Sequence, residues 1–394
     1  MITGFSRRMA VPVCSLCVAG TLALAPATAA AGHRAGEPAP PGPRAAMPQP
    51  SLLRRPGTQV RPHPGVPEVP DVSALSWLVA DAGSGEVLAA ADAHRRLPPA
   101  STLKTLFALT VLPGLPAGLR HTVRYEELEE VGEGSSLVGV EEGLSYEVSD
   151  LWRGVFLSSG NDAVHVLASL GGGWRATAAR MQAKARSLGA LDTRVVSPDG
   201  YDTPGQVSSA FDLAVFGRAG LRDPDFARYC STAEARFPGD GWSYAIENTN
   251  RLLTGEDGVA PYPGLIGIKN GYTTNAGNTL VAAARRGGRT LVVTVMNPQD
   301  EEAFAVYEEA RALLDWGFAA AGRVDPVGSL DGLRKASRPA SVAAPVAAAA
   351  APAPAPGGGG GPWPPSAAVV GLAGLGAGAV ALALRTRGRR AARG

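Results

Sequence analysis

Three small groups of polar residues stand apart by the chemistry they could do together: Ser101 with Lys104, Ser159 with Asn161, and Lys269 with Asn270 and Gly271. A serine hydroxyl is a weak nucleophile at its free pKa and needs a base within hydrogen-bond reach. A lysine serves if desolvation or neighbouring positive charge keeps it neutral. Positions i and i+3 share a helix face, so Ser101 at a helix start would set Lys104 beside its hydroxyl one turn on. Ser159 could relay a proton to a leaving group, while the Asn161 amide could hold Lys104 and a substrate carbonyl. Lys269 at a strand edge could receive a carboxylate as a point charge, with Asn270 donating to the same group and Gly271 letting substrate approach the backbone. Together these roles make a serine acyl-transfer enzyme. Each group also has a plainer use, Ser101 as a helix cap beside a solvated lysine and Ser159 to Asn161 as a capped turn.

The elements that must position these groups can be read around them. Leu103, Leu106, Phe107 and Val111 form an apolar stripe between Pro98-Pro99 and Pro113-Gly114, which predicts a helix over 101–112. Ser159-Gly160-Asn161 falls between apolar runs at 151–157 and 163–167, with Gly160 suggesting a tight loop. Lys269 follows the apolar Leu265-Ile266-Gly267-Ile268 and precedes a strand over 278–284. Residues 77–80 and 86–90 alternate around Ala82-Gly83-Ser84-Gly85 and read as a hairpin, as do 278–284 and 290–296 around Arg286-Gly287-Gly288. Helical patterns fill 101–112, 149–170, 173–189, 208–220 and 299–320. Strands at both ends with helices between predict an α+β fold, one antiparallel sheet built from both chain halves and flanked by helices, with a helical insertion.

In this order the three groups resemble the S-x-x-K, S-x-N and K-T-G motifs of serine β-lactamases and penicillin-binding proteins. Over roughly residues 76–321 the chain resembles the low-molecular-weight D-alanyl-D-alanine carboxypeptidases of the S11 type. The likeness is carried by the stretch from Trp77 to Leu88, by Leu157-Ser158-Ser159-Gly160-Asn161-Asp162-Ala163, by Pro198-Asp199-Gly200 with Gly205, and by Asn248-Thr249-Asn250-Arg251-Leu252-Leu253. Asn270 departs from the pattern, standing where a Thr or Ser hydroxyl is usual. The resemblance implies a β-lactamase/transpeptidase-like fold with the active site at the sheet–helix boundary; the extra β-domain that many relatives carry after it is not expected here, because the last helical pattern passes almost directly into linker. It implies catalytic roles for Ser101, Lys104, Ser159 and Asn161, and substrate binding by Lys269, Asn270, Gly271, Tyr272 and Thr273. The backbone N–H groups of Ser101 and Tyr272 would form the oxyanion hole. The implied substrate is a peptidoglycan stem peptide, with β-lactams as inhibitors and no cofactor or metal. Two other readings stand beside it. A β-lactamase would need a deacylating Glu, for which Glu247-Asn248-Thr249-Asn250 lies too close to Lys269. A wall-binding protein that has lost activity would be signalled by Asn270.

The rest of the sequence frames one exported, tethered domain over residues 73–322. Arg7-Arg8, an apolar stretch over 9–25 and Ala27-Thr28-Ala29-Ala30-Ala31 have the layout of a cleavable signal peptide over 1–31. Residues 32–72 and 323–366 are dense in Pro, Ala and Gly and read as a disordered segment and a linker. Residues 367–384 carry no charge and about 18 residues cover ~27 Å, enough for a transmembrane helix. The basic tail over 385–394 would stay in the cytoplasm, placing the catalytic domain outside a single-pass membrane anchor. With Cys14 and Cys17 in the signal peptide, Cys230 stands alone and no intramolecular disulfide is expected. Five histidines without a cluster argue against zinc. Glu126, Glu127, Glu129 and Glu130 read as a solvated face. A net charge of +2 without a basic stripe argues against nucleic acid.

Overall fold

Residues 77–80, 280–284 and 291–295 are apolar at every position but Thr294, so their strands have no face suited to water. Both faces of the sheet they form are accordingly covered. The computed structural model describes residues 52–331. The chain runs through β1 (Thr58–Val60), β2 (Ser76–Asp81), β3 (Glu86–Ala91), α1 (Lys104–Val111), β4 (Arg120–Thr122), β5 (Ser145–Glu147), α2 (Val148–Phe156), α3 (Asn161–Leu170), α4 (Trp174–Ser187) and α5 (Ala210–Gly220). It continues through α6 (Pro224–Cys230), β6 (Glu234–Pro238), β7 (Ser243–Glu247), α7 (Arg251–Thr254), β8 (Leu265–Thr273), β9 (Gly277–Arg286), β10 (Arg289–Met296), α8 (Ala305–Ala320) and β11 (Gly328–Ser329).

The seven-stranded sheet has the order β1-β3-β2-β10-β9-β8, with β11 also on β3, and every pairing is antiparallel. Strand periodicity sends Trp77, Val79, Leu280, Ala282, Leu291 and Val293 to the face that packs on Leu313 and Leu314 of α8. Leu78, Ala80, Val281, Ala283 and Val292 face a larger core with α1, α2, α3 and α5. This is the mixed architecture the sequence predicts, with the first hairpin in the middle of the sheet and the second beside it.

Three expectations are corrected. The pattern over 149–170 is two helices, because α2 ends at its C-cap Leu157 and the chain passes through Ser159 at φ +59° before α3 begins at Asn161. The segment from 52 to 72, read as disordered, is ordered. After a short 3-10 turn at Leu52–Arg54 its prolines disfavour an α-helix, yet β1 pairs with β3, Val60, Val66 and Val69 pack against the α8 side, and Trp316 Nε1 donates to Pro67 O at 3.0 Å. At the other end residues 323–331 belong to the fold through β11 and the Pro62–Val324 bridge. The signal peptide, the remainder of the linker, the membrane helix and the basic tail lie outside the described residues. No described helix is long and apolar enough to cross a membrane.

Trp152 of α2 is fully buried, its ring centroid 5.4 Å from that of Phe107 on α1 and 6.3 Å from that of Phe156. It therefore fixes the spacing between the helix that follows Ser101 and the helix that leads to Ser159. Removing it opens a cavity between them, and Trp152→Ala is expected to lose about 3–5 kcal/mol of stability by denaturant unfolding.

Candidate active site

Ser101 lies in a 3-10 turn, Ala100–Leu103, that runs directly into α1. The turn is entered through Ala100 at φ +49°, and Gly200 at φ +85° lies against it. A Cβ on Gly200 would sit 2.1 Å from Ala100 O, so only glycine fits that approach. On the other side Gly271 of β8 passes so close that a Cβ there would lie 2.6 Å from the Ser101 nitrogen. The serine is thus clasped between a loop glycine and a strand glycine, with Thr279 of β9 donating to Pro99 O at 3.1 Å.

Lys104 is 1% exposed, and its Nζ donates to Ser101 Oγ and to Asp199 O, each at 2.7 Å. Burial lowers its pKa to about 8, against the raising pull of the Asp199 and Asp162 carboxylates. The i, i+3 geometry expected from sequence is realised, and an amine with a lowered pKa bonded to the hydroxyl could serve the serine as a base.

Ser159 and Asn161 reach the same cavity from the α2–α3 junction. Asn161 Oδ1 is buried with no hydrogen-bond partner among the described residues, and neither partner of Lys104 Nζ is Asn161. The opposite wall is held by Asp162, whose carboxylate accepts from the backbone N–H groups of Val138, Gly139 and Val140 at 2.8–3.1 Å. Asn161 N also donates to Ser136 O at 2.7 Å. These bonds bring Ser135 and Ser136 to the cavity, which measures about 350 Å³.

The third group departs from expectation. Lys269 lies inside β8 and is 2% exposed, its Nζ donating to Asn270 O at 2.9 Å and Oδ1 at 3.2 Å. Burial and the nearby Lys104 charge hold its pKa well below the usual lysine range. The Asn270 amide donates to Thr249 O and to Tyr307 OH, both at 3.2 Å, while its Oδ1 also accepts from Thr249 Oγ1 at 3.1 Å. An amide NH₂ has two hydrogens, so Asn270 is a brace with both donors engaged rather than a free donor for a ligand. Tyr272 and Thr273 do line the cavity, and Thr273 Oγ1 donates to Asp202 Oδ1 at 2.7 Å.

Arg251 also lines the cavity. It is the one cationic side chain among those lining the cavity, its guanidinium carbon 4.6 Å from the Phe304 ring centroid and Asp257 engaging its Nε and Nη2. The stretch Asn248 to Leu253 points to this place in the sequence, but the partners Phe304 and Tyr307 come from a distant segment and carry no local signal. Glu247 is exposed and does not line the cavity; among the described residues the only carboxylate that does is Asp202. No group of metal-ligating side chains occurs among the described residues.

Gly271→Ala would drive β8 away from the Ser101 backbone. A displacement of about 1 Å at a reacting centre costs on the order of 100-fold, and that loss is expected in the rate of Ser101 acylation, with far-UV circular dichroism unchanged.

Residues 64–300 match the peptidase S11 family, described as D-alanyl-D-alanine carboxypeptidase. The D-alanyl-D-alanine carboxypeptidase DacB2 of Mycobacterium tuberculosis is 43% identical over 263 residues, covering 66% of this chain and 87% of the relative. The DacD carboxypeptidase of Escherichia coli is 34% identical over 267 residues, and the match covers 64% of this chain and 65% of that longer relative. The crystal structure of the D-alanyl-D-alanine carboxypeptidase from M. tuberculosis H37Rv superposes with a TM-score of 0.63 at 40% identity, over 69% of this chain and all of that one. The Streptomyces K15 DD-transpeptidase gives 0.59 at 26% identity, over 64% of this chain and all of its own. With the serine–lysine pair at a sheet–helix boundary and the family matched across most of the described residues, the chain belongs to the S11 peptidases, the D-alanyl-D-alanine carboxypeptidases.

Proposed function

We propose that the chain removes the terminal D-alanine of peptidoglycan stem peptides through an ester on Ser101. The observation that carries this reading is the 2.7 Å contact between the buried Lys104 amine and Ser101 Oγ at the floor of the cavity. Ser101 Oγ attacks the carbonyl between the last two residues as its proton passes to Lys104. The tetrahedral oxyanion is received by the backbone N–H groups of Ser101 and Tyr272. On collapse the C–N bond breaks, the departing amine takes a proton from Lys104 with Ser159 beside it, and D-alanine leaves. Water then attacks the ester with the same lysine as base. A β-lactam would open onto Ser101 by the same first step.

The terminal carboxylate is assigned to Arg251, because Lys269 is buried behind Asn270 and both Asn270 donors are engaged. A guanidinium has five N–H donors; Asp257 engages the Nε and Nη2 edge and the Tyr307 hydroxyl also bonds the group, which leaves donors over for a ligand. Lys269 then serves as a brace behind the strand, its amine bonded to Asn270. Export through the leader and anchoring through residues 367–384 would place this activity outside the membrane, beside the wall polymer. Treated as a flexible coil, a tether of about 30 residues reaches ~30 Å.

Benzylpenicillin is expected to leave a covalent mass on Ser101 by intact-mass spectrometry, and diacetyl-Lys-D-Ala-D-Ala to release free D-alanine. Ser101→Ala should abolish both, whereas release by that variant at the parent rate would refute the assignment. Penicillin consumed without any adduct would instead indicate a β-lactamase. Arg251→Ala is expected to raise KM for the peptide about tenfold or more, with a smaller effect on a peptide whose terminal carboxylate is amidated.

A further inference from the structure

The catalytic cavity is lined by one cationic side chain, Arg251, and, among the described residues, by one carboxylate, Asp202, for which the reaction above has no use. The two stand toward opposite ends of the part of β8 that passes Ser101. Arg251 is at the Asn270 end, where the Tyr307 hydroxyl accepts from the Asn270 amide at 3.2 Å and the Tyr307 ring centroid lies 5.8 Å from the guanidinium carbon. Asp202 is at the Thr273 end, where its Oδ1 accepts from Thr273 Oγ1 at 2.7 Å and its Oδ2 from Asn275 N at 3.0 Å. Between them lies Gly271, whose Cβ position faces the Ser101 backbone. Strand alternation turns the Thr273 side chain to the same face as that position.

The Asp202 carboxylate is held in place without being neutralised. Both of its bonds come from neutral donors, and among the described residues no cation forms an ion pair with it. Each oxygen keeps a lone pair for a further donor. Asp202 also borders a second hollow of about 290 Å³, lined by Pro98, Pro99, Gln206 and Asn275, which shares only Tyr201 and Asp202 with the catalytic cavity. Tyr201 is fixed at this boundary by its hydroxyl, which donates to Glu133 O at 2.8 Å. A ligand side chain that leaves the reacting bond past Tyr201 therefore meets a negative charge and has room beyond it.

Resting on the reading of the substrate as a peptide ending in D-alanyl-D-alanine, we infer that Asp202 is a specificity residue for a free primary amine on the side chain of the residue before the two D-alanines. With the terminal carboxylate at Arg251, the acyl half of the peptide runs from Ser101 toward Thr273. The step from Gly271 to Thr273 is two residues, ~7 Å along the strand. The α-carbon of the preceding residue lies ~3.8 Å from that of the acylating residue, and a four-carbon side chain carries its nitrogen ~6 Å further, about 10 Å of reach in all. The reach exceeds the step. An ammonium there makes a charge-assisted hydrogen bond to the carboxylate, whereas an acylated amine leaves Asp202 to water. The two charges of the cavity thus match the two charges of one peptide, an anion at its end and a cation two residues back.

The full chain and its Asp202→Asn and Asp202→Glu variants are assayed on Nα-acetyl-Lys-D-Ala-D-Ala, whose side-chain amine is free, on diacetyl-Lys-D-Ala-D-Ala, whose amine is capped, and on the counterpart of the first with diaminopimelate in place of lysine. The parent is expected to favour the free lysine amine over the capped one by about tenfold in kcat/KM, mainly through KM. Asp202→Asn should bring that ratio near one, and Asp202→Glu, which keeps the charge, should retain part of it. A ratio between two peptides on one protein does not depend on how much of a variant folds, and a purely structural part for Asp202 would leave it where it was. Equal use of the free and capped peptides by the parent, or an unchanged preference in Asp202→Asn, overturns the inference. The diaminopimelate peptide tells the two sources of the amine apart: the better used of the free-amine peptides is the natural one, and its advantage over the capped peptide must fall in Asp202→Asn. Calorimetric titration of Ser101→Ala with the free and capped lysine peptides repeats the comparison without chemistry. A parent that hydrolyses none of the peptides would refute the catalytic reading, while the affinity ratio would still decide for or against Asp202.

Discussion

A lysine amine removed from water beside a serine hydroxyl is the constraint on which the rest of the site depends. Water would keep Lys104 protonated and useless as a base, so the fold must bury it, and burial must be tolerated without surrendering the charge altogether. Asp199 and Asp162 temper the desolvation from a distance, while the Asp199 carbonyl accepts a direct hydrogen bond from the amine. The balance leaves a base poised near the pH at which it must work. The Lys104 charge in turn helps burial to hold the pKa of Lys269 well below the usual lysine range.

Holding such a group in place requires close backbone approach from three directions. Gly200 and Gly271 let a loop and a strand close on the serine turn where any side chain would collide. The third direction is the α2–α3 junction, where Ser159 occupies a left-handed conformation that a serine adopts at some cost. That cost is sustained by the Asp162 cluster of backbone hydrogen bonds and by the packing of Trp152 beneath it. The two halves of the chain contribute equally, for the nucleophile comes from the segment after β3 and the abutting glycine from β8. Nothing in the site folds without the sheet that joins them.

Much of this was legible in the sequence because the physics is local. Period-two apolar runs around glycine turns identify the two hairpins, and the spacing of Ser101 and Lys104 follows from one helical turn. What escaped depends on partners far along the chain. The arm from 52 to 72 cannot bury enough surface alone, and its order comes from borrowing the β3 edge and the flank of α8. The engaged state of Asn270 rests on Thr249 and Tyr307, 21 and 37 residues away, so its residue type suggested a free donor where the fold makes a brace. Arg251 lay within a recognised stretch without a role until Phe304 and the cavity wall came to face it.

The most direct measurement is the rate of Ser101 acylation by benzylpenicillin between pH 6 and 10, for the parent and for Lys104→Ala. The neutral amine is the base, so the rate should climb as Lys104 loses its proton, with a midpoint near pH 8, and the alanine variant should be slower by orders of magnitude without that climb. A flat profile, or a midpoint above 10 as for a solvated lysine, would contradict the account, since the amine beside Ser101 Oγ would then not be acting as its base.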